Sequence, residues 1–375
     1  MKKILLLLTT LLPLAASAQL NGDGYYRIQN YATNRYIVLN DSVRNGEIDM
    51  NSASADVSNL ATKSGFDRVK SNPASIFYIQ KVDTKYNLIS QGLSIYELTG
   101  GKKYLDITPM GDGSYYKFSM TSGGLEGRLF DSPNTGNEGN CVTKAGNGIA
   151  HRDYWKLIPV NTEEASYIGL QPTVEAADGW YGTVYADYPF KLASENVKVY
   201  YVDAISNGEA QLKEIIDEVK PAATPLVFKT NSNDPAKNKV IPVYTNTTAP
   251  TDNKLKGTYY ASSVNEHICR VEYNSASMRV LGVDSNKKLI FTTAKEADLT
   301  KSKYIPMNTC WLEVPTSLSG DLKTVVSNTP AGIQNIHADG SRRKGTYTLT
   351  GVRVDNEQHL RAGIYIQNGK KVVIK

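Results

Sequence analysis

Cysteine is scarce in this chain of 375 residues: there are three, Cys141, Cys269 and Cys310. An odd number cannot all pair within one chain, and none of them forms a Cys-x-x-Cys unit, so a zinc site of that kind has no support. Cys269 and Cys310 fall in the same stretch. They can form a disulfide in an exported protein, or stand as two buried free thiols, since cysteine also behaves as a small hydrophobe. Histidine is as thin: His151, His267, His337 and His359 are scattered, without an HExxH pair. Gly-x-Ser-x-Gly is missing, so a nucleophile elbow is unsupported. His151-Arg152-Asp153 has the letters of a kinase catalytic loop but none of the companion motifs. The adjacent acids Glu163-Glu164 and those of the 175–178 stretch read as loop, because a glycosidase pair is defined by separation in space rather than along the chain. Asp112, in Gly111-Asp112-Gly113, lacks the EF-hand spacing and reads as an ordinary turn. No catalytic residue, metal or other cofactor is expected.

Strong charge is missing too. The formal net charge is +5 and evenly spread, which argues against nucleic acid as a partner. Apart from the first residues, no apolar run approaches the length of a membrane-spanning helix. At the start, Lys2-Lys3, an apolar run from Ile4 to Leu14 and Ala16-Ser17-Ala18 follow the pattern of a secretory signal peptide. We therefore expect residues 1–18 to be removed, leaving Gln19 as the new N-terminus and the net charge at +3.

What the chain has is tyrosine, 24 against 7 phenylalanines, together with 29 glycines. Tyrosine packs its ring and keeps its hydroxyl wet, which suits half-exposed strands. Over residues 19–160, Gly24-Tyr25-Tyr26-Arg27-Ile28-Gln29-Asn30 and Tyr36-Ile37-Val38-Leu39 read as strands. Ile76-Phe77-Tyr78-Ile79, Ser114-Tyr115-Tyr116-Lys117-Phe118 and Tyr154-Trp155-Lys156-Leu157 repeat one aromatic pattern. Phe77 to Tyr115 is 38 residues and Tyr115 to Tyr154 is 39. Three units of short strands at that period predict a closed β-barrel with threefold pseudo-symmetry. The polar stretch Asn51–Ser75 reads as an insertion in the first unit.

These motifs, Gly24-x-Tyr26-x-Ile28-x-Asn30, Arg35-Tyr36-Ile37 and the closing Trp155-x-Leu157, resemble ricin-type β-trefoil lectin domains. The resemblance covers roughly residues 22–160. The family's Gln-x-Trp signature is replaced by Asp153-Tyr154-Trp155. The resemblance implies up to three sugar sites, each an aromatic face with an acidic or amide partner. Tyr36, Asp106, Tyr115 and Asp153 are the candidate ligand-binding residues, the two acids by type alone.

Residues 161–330 alternate like strands at Trp180–Phe190, Val197–Val202, Pro225–Lys229, Met278–Leu281, Lys288–Phe291 and Thr309–Val314. Within 207–220, Leu212, Ile215, Ile216 and Val219 stand at helical spacing. Tyr185-x-Asp187-x-Pro189-Phe190, Val197-Lys198-Val199-Tyr200, 219–227 and 305–312 resemble a β-sandwich module of secreted Bacteroidota-type proteins, which implies strand–turn–strand over 207–220 instead. Residues 331–344 read as a linker. From 345 to 375, Gly363-Ile364-Tyr365 and Asn368-Gly369-Lys370-Lys371 are similar to the C-terminal sorting domain of type IX secretion. That implies export to the cell surface or beyond and a secretion machinery as partner.

The expected fold is therefore all-β: a β-trefoil, a β-sandwich and a small C-terminal β tail. The expected function is an exported, non-catalytic protein that binds glycan or a host surface. An exported polysaccharide or peptide hydrolase and an envelope assembly protein are the alternatives.

Overall fold

The computed structural model describes residues 20, 23–39, 60–96, 103–122, 125–133, 138–144, 151–259, 271–327, 346–348, 353–354, 363–367 and 370–374. Residues 1–18 and 331–344 lie outside this set. The chain is all-β: among the described residues there are strands and short 3-10 turns, and no α-helix. Residues 1–328 make one compact unit and 329–375 a second.

The first sheet has eleven strands: β1 Gly24–Asn30, β2 Arg35–Leu39, β3 Leu60–Ser64, β4 Phe77–Val82, β5 Lys85–Ser90, β6 Leu93–Tyr96, β7 Lys103–Met110, β8 Tyr115–Ser122, β9 Leu125–Pro133, β10 Glu138–Lys144 and β11 Tyr154–Pro159. Its pairings close on themselves. β1 joins β4, β4 joins β5, β5 joins β7, β7 joins β8, β8 joins β11, and β11 returns to β1. A second circuit runs β1–β2–β3–β10–β9–β8. Closure satisfies the edge hydrogen bonds that strands this short would otherwise leave open. This is the expected β-trefoil-like barrel. Its core holds Ile28, Ile37, Leu60, Phe77, Phe118 and Trp155, and the Trp155 indole donates to the Leu129 carbonyl at 3.1 Å.

Burial corrects the repeat by one position. Phe77, Tyr116 and Trp155 all point inward, followed two residues on by Ile79, Phe118 and Leu157. Counted this way, both steps of the period are 39 residues. Strand side chains alternate between faces, so Tyr115 and Tyr154 correspond to Ile76, one residue before Phe77, and point the other way. The supposed insertion is also partly regular: Leu60–Ser64 is a barrel-unit strand, followed by two 3-10 turns at Phe66–Arg68 and Pro73–Ser75; residues 51–59 lie outside the described set.

One buried carboxylate ties this barrel together. Asp131 on β9 pairs with Arg35 of β2 at 2.8 Å and accepts hydroxyl hydrogen bonds from Thr62 of β3 at 2.8 Å and Thr33 at 2.5 Å. Gly139 on β10 faces this knot: a Cβ there would stand 2.5 Å from Thr62 Oγ1 and 2.8 Å from Asp131 Oδ1.

The second region has two sheets and two buried clusters, one of which holds Tyr200, Val202, Leu212, Val227, Phe291 and Leu312. A four-stranded sheet (Ile168–Gly169, Lys239–Pro242, Phe190–Leu192, Val219–Lys220) lies against a ten-stranded one, with Phe190, Val199, Leu226, Phe228 and Val240 between them. The 207–220 stretch is strand, as the resemblance implied. Asn207 and Gly208 both have positive φ, 52° and 76°, and Ser206 lies opposite Glu209 across a tight hairpin. Asn-Gly in that turn suits a two-residue loop, and pairing with Lys198–Ser206 on one side and Leu322–Val326 on the other outweighs the helical spacing. Cys310 is a free, buried thiol rather than half of a disulfide; its Sγ lies against the Leu226 and Val184 carbonyls, at 3.3 and 3.5 Å. Cys269 is outside the described residues. In the 329–375 unit, Gly363–Gln367 and Lys370–Ile374 pair antiparallel with Gln367 opposite Lys370; Asn368 and Gly369 lie outside the described residues.

The barrel and the second region share an interior. Ile76 joins the sandwich core, Phe66 meets Tyr167 edge-on at 5.1 Å, and Gly169 donates its backbone N–H to Lys70 at 2.9 Å. Arg27 is fully buried and reaches across. Its guanidinium donates to Val69 O at 3.2 Å, Ser75 Oγ at 3.2 Å and, in the second region, Ser166 O at 2.8 Å.

Asp187 closes the same junction, accepting from Gly92 N and Gln91 Nε2 of the barrel, both at 3.3 Å. Burial is the main force on its carboxyl and raises its pKa from the ordinary range to about 6, against the opposing pull of those hydrogen bonds. A raised acid pKa means the folded protein holds a proton the unfolded chain has lost. Its contribution is therefore full below about pH 4 and disappears as pH rises through 6. Asp187→Asn keeps an acceptor and removes the charge. It is expected to stabilise the unit at pH 8 by on the order of 2 kcal/mol and to give no gain at pH 4. Melting temperatures of both proteins across that range test this; a difference independent of pH would contradict it.

Candidate functional site

The outward face of β8, β11 and the end of β1 carries a cluster of rings. Because Tyr116 and Trp155 point inward, their neighbours Tyr115 and Tyr154 point out; Tyr31 follows in the turn after β1. Tyr115 and Tyr154 stack at 4.9 Å with planes 19° apart. Tyr31 leans on Tyr115 at 4.9 Å and is 42% exposed. His151 adds a fourth ring, 4.7 Å from Tyr154 and edge-on to Tyr31.

Local sequence explains the placement. Asn30, buried at the end of β1, accepts from the backbone N–H groups of Ala32 and Thr33 and donates to Arg152 O at 2.8 Å. That turn holds Tyr31, whose own N–H bonds Tyr154 O at 2.8 Å. Gly111, with φ +60°, lies where a Cβ would be 3.0 Å from the Tyr115 hydroxyl, so a side chain there would strain the turn and press on the ring. Two ammonium groups lie over ring faces: Lys117 over Tyr154 at 4.8 Å and Lys156 over Tyr31 at 5.5 Å. Beneath them Asp153 is buried, with Oδ2 3.5 Å from Arg128 and 3.9 Å from Lys117.

The four candidate residues separate here. Tyr115 presents a ring in the cluster, and Asp153 supports it from below without reaching its surface. Tyr36 is buried with Val38, Ala61 and Val69 and serves packing. Asp106, on β7, forms a 2.5 Å ion pair with Lys85 away from the rings. Tyr31, Tyr154, His151, Lys117 and Lys156 complete the site and were not singled out in the sequence. Period-two alternation around Trp155 was the signal that could have found Tyr154 and Lys156.

Two other features are candidates of a different kind. Tyr25, Tyr78, Tyr188 and Tyr244 form a second cluster, with Tyr25 5.0 Å from Tyr78, 5.7 Å from Tyr244 and 5.8 Å from Tyr188. It joins barrel to sandwich, and burial raises the pKa of the Tyr25 phenol. A cavity of about 220 Å³ lies at the same junction, floored by Phe190, Phe228 and Val240 and bounded by Asn72 and Asn308. Its polar walls are already engaged: Asn308 Nδ2 bonds Gln91 and Tyr185 O, and Asn72 caps Ala74. Among the described residues no group of acids, histidines and cysteines has the arrangement of a metal site. Asp112 accepts from Ser114 N at 2.9 Å within its turn.

No family model matches the chain, and neither does any curated protein. Among solved structures, the chain is similar to a designed threefold-symmetric protein, ThreeFoil, at 15% identity over 36% of this chain and 99% of that one, with a TM-score of 0.26. It is also similar to a mosquitocidal holotoxin, at 14% identity over 78% of this chain and a TM-score of 0.27, and it spans 34% of that protein's length. Both scores are low, and the fold stated above stands on the strand pairings.

Proposed function

We propose that this chain is an exported, non-catalytic binding protein that takes carbohydrate on the Tyr31–Tyr115–Tyr154 face. The observation that carries the reading is that exposed tyrosine cluster, held by backbone turns and a stacked pair rather than by loops alone. Tyrosine rings offer a flat apolar surface with a hydroxyl at its edge, suited to the C–H face and hydroxyl rim of a sugar. The rings are positioned before any ligand arrives, which lowers the ordering cost of binding. Support for export comes from the signal-peptide pattern of residues 1–18 and the sorting-like pattern of 345–375; with both, the site would face the outside of the cell.

The test is a glycan array with the full chain and its Tyr31→Ala variant. Tyr31 is the most exposed of the three tyrosines, so its loss should weaken retention about tenfold, the scale of one interface aromatic, and shift the melting temperature little. Loss of binding together with a large drop in melting temperature would make Tyr31 a packing residue. A folded protein that retains no glycan would overturn the reading.

A further inference from the structure

We infer that the ligand of this face is an acidic glycan, one bearing carboxylate or sulfate groups; the inference rests on reading the face as a carbohydrate site. The argument is one of charge on a single surface. The register sets Lys117 opposite Tyr154 and Lys156 opposite Gln29, so the outward residues of β8 and β11 alternate rings and ammonium groups. Asp153, which lies 3.9 Å from Lys117, has its side chain only 3% exposed. Lys156 has no carboxylate partner among the described residues, and its ammonium is held 5.5 Å from the Tyr31 ring. A sugar packed on the exposed tyrosine therefore meets the Lys117 and Lys156 ammonium groups at its edge, against a single exposed acid, Asp112, in the described turn before Tyr115. The Asp153 carboxylate helps hold Lys117 in place, so part of the positive face is prearranged. A neutral sugar uses the rings alone.

Binding of the full chain to sialyllactose against lactose, and to polygalacturonate against dextran, tests this, with single-stranded DNA as a control for bare charge. The acidic member of each pair should bind about tenfold more tightly at 50 mM salt, an advantage that should shrink several-fold at 500 mM, where surface charges are screened within a few ångströms. Lys156→Gln should weaken acidic binding more than neutral binding, narrowing the acidic-over-neutral ratio about threefold to fivefold; Lys117→Gln should act in the same direction. Equal binding of acidic and neutral partners, unaffected by Lys156→Gln, would overturn the inference and leave the carbohydrate reading intact. Retention of DNA as strong as that of the acidic glycans would overturn it as non-specific attraction. No binding to any glycan by folded protein would remove both.

Discussion

Arg27→Leu is expected to lower the stability of the 1–328 unit by about 3 kcal/mol, a fall in melting temperature on the order of 4–5 °C for a unit of this size. Arg27 lies at the seam. Burial lowers its pKa to about 10, so it stays charged at neutral pH, and its charge is met by the Val69 and Ser166 carbonyls and the Ser75 hydroxyl. Its carbon sits over the Phe66 ring at 5.2 Å. Leucine fills part of the volume and satisfies none of those acceptors. Ser75 Oγ keeps Asn72 O at 2.7 Å and Val69 O keeps the Asn72 backbone N–H at 3.1 Å; Ser166 O is the acceptor left bare. Such an acceptor costs about 1–3 kcal/mol, and the lost contact with Phe66 adds to it. Arg27→Lys, which keeps the charge but cannot span three acceptors, should fall between. Thermal unfolding of the three proteins checks the order; an Arg27→Leu protein as stable as the parent would remove the seam from the account.

Asp131→Ala should cost more, about 3–5 kcal/mol, because it takes away the carboxylate opposite a buried guanidinium. Three segments lose a partner at once: Arg35 of β2, Thr62 of β3 and the Thr33 hydroxyl in the turn beside the tyrosine cluster. Asp131→Asn retains the shape and some hydrogen bonding and should cost less. In the double variant Arg35→Met/Asp131→Ala the total should be smaller than the sum of the single changes, since the buried charge goes with its partner. Denaturant unfolding of this set measures the coupling; strict additivity would show that the pair is not energetically joined. Because Thr33 follows the Asn30 turn, Asp131→Ala should also reduce binding at Tyr31 through position rather than contact.

The barrel was legible in the sequence because its repeat is a packing repeat. Inward Phe77, Tyr116 and Trp155 recur at one spacing, and closure followed from strand length. The one-residue displacement arose because adjacent aromatics are equivalent in composition and opposite in direction; only burial separates Tyr115 from Tyr116. The same ambiguity hid the site. Trp155 is the conspicuous aromatic, while its half-buried neighbours Tyr154 and Lys156 face the ring cluster. Tyr36 looked like a ligand platform by type, but β2 is buried along its whole length. Asp106 and Asp153 were chosen for being acids, and each is occupied by cations that lie elsewhere in the chain. Helical spacing at Leu212–Val219 pointed away from the strand that the resemblance implied, and tertiary pairing and an Asn-Gly turn outweighed that local periodicity. The junction was not legible at all: Arg27 sits in a strand motif where nothing nearby announces that its acceptors include Ser166.

The most direct measurement is hydrogen–deuterium exchange of the full chain with and without the glycan that binds most strongly on the array. Slowed exchange in the segments around Tyr31, 111–118 and 151–156 is the expected result, with the junction segments unchanged. Protection centred instead on Tyr25, Tyr78 and Tyr244, or on the cavity walls around 168–171, would contradict the assignment of the binding face.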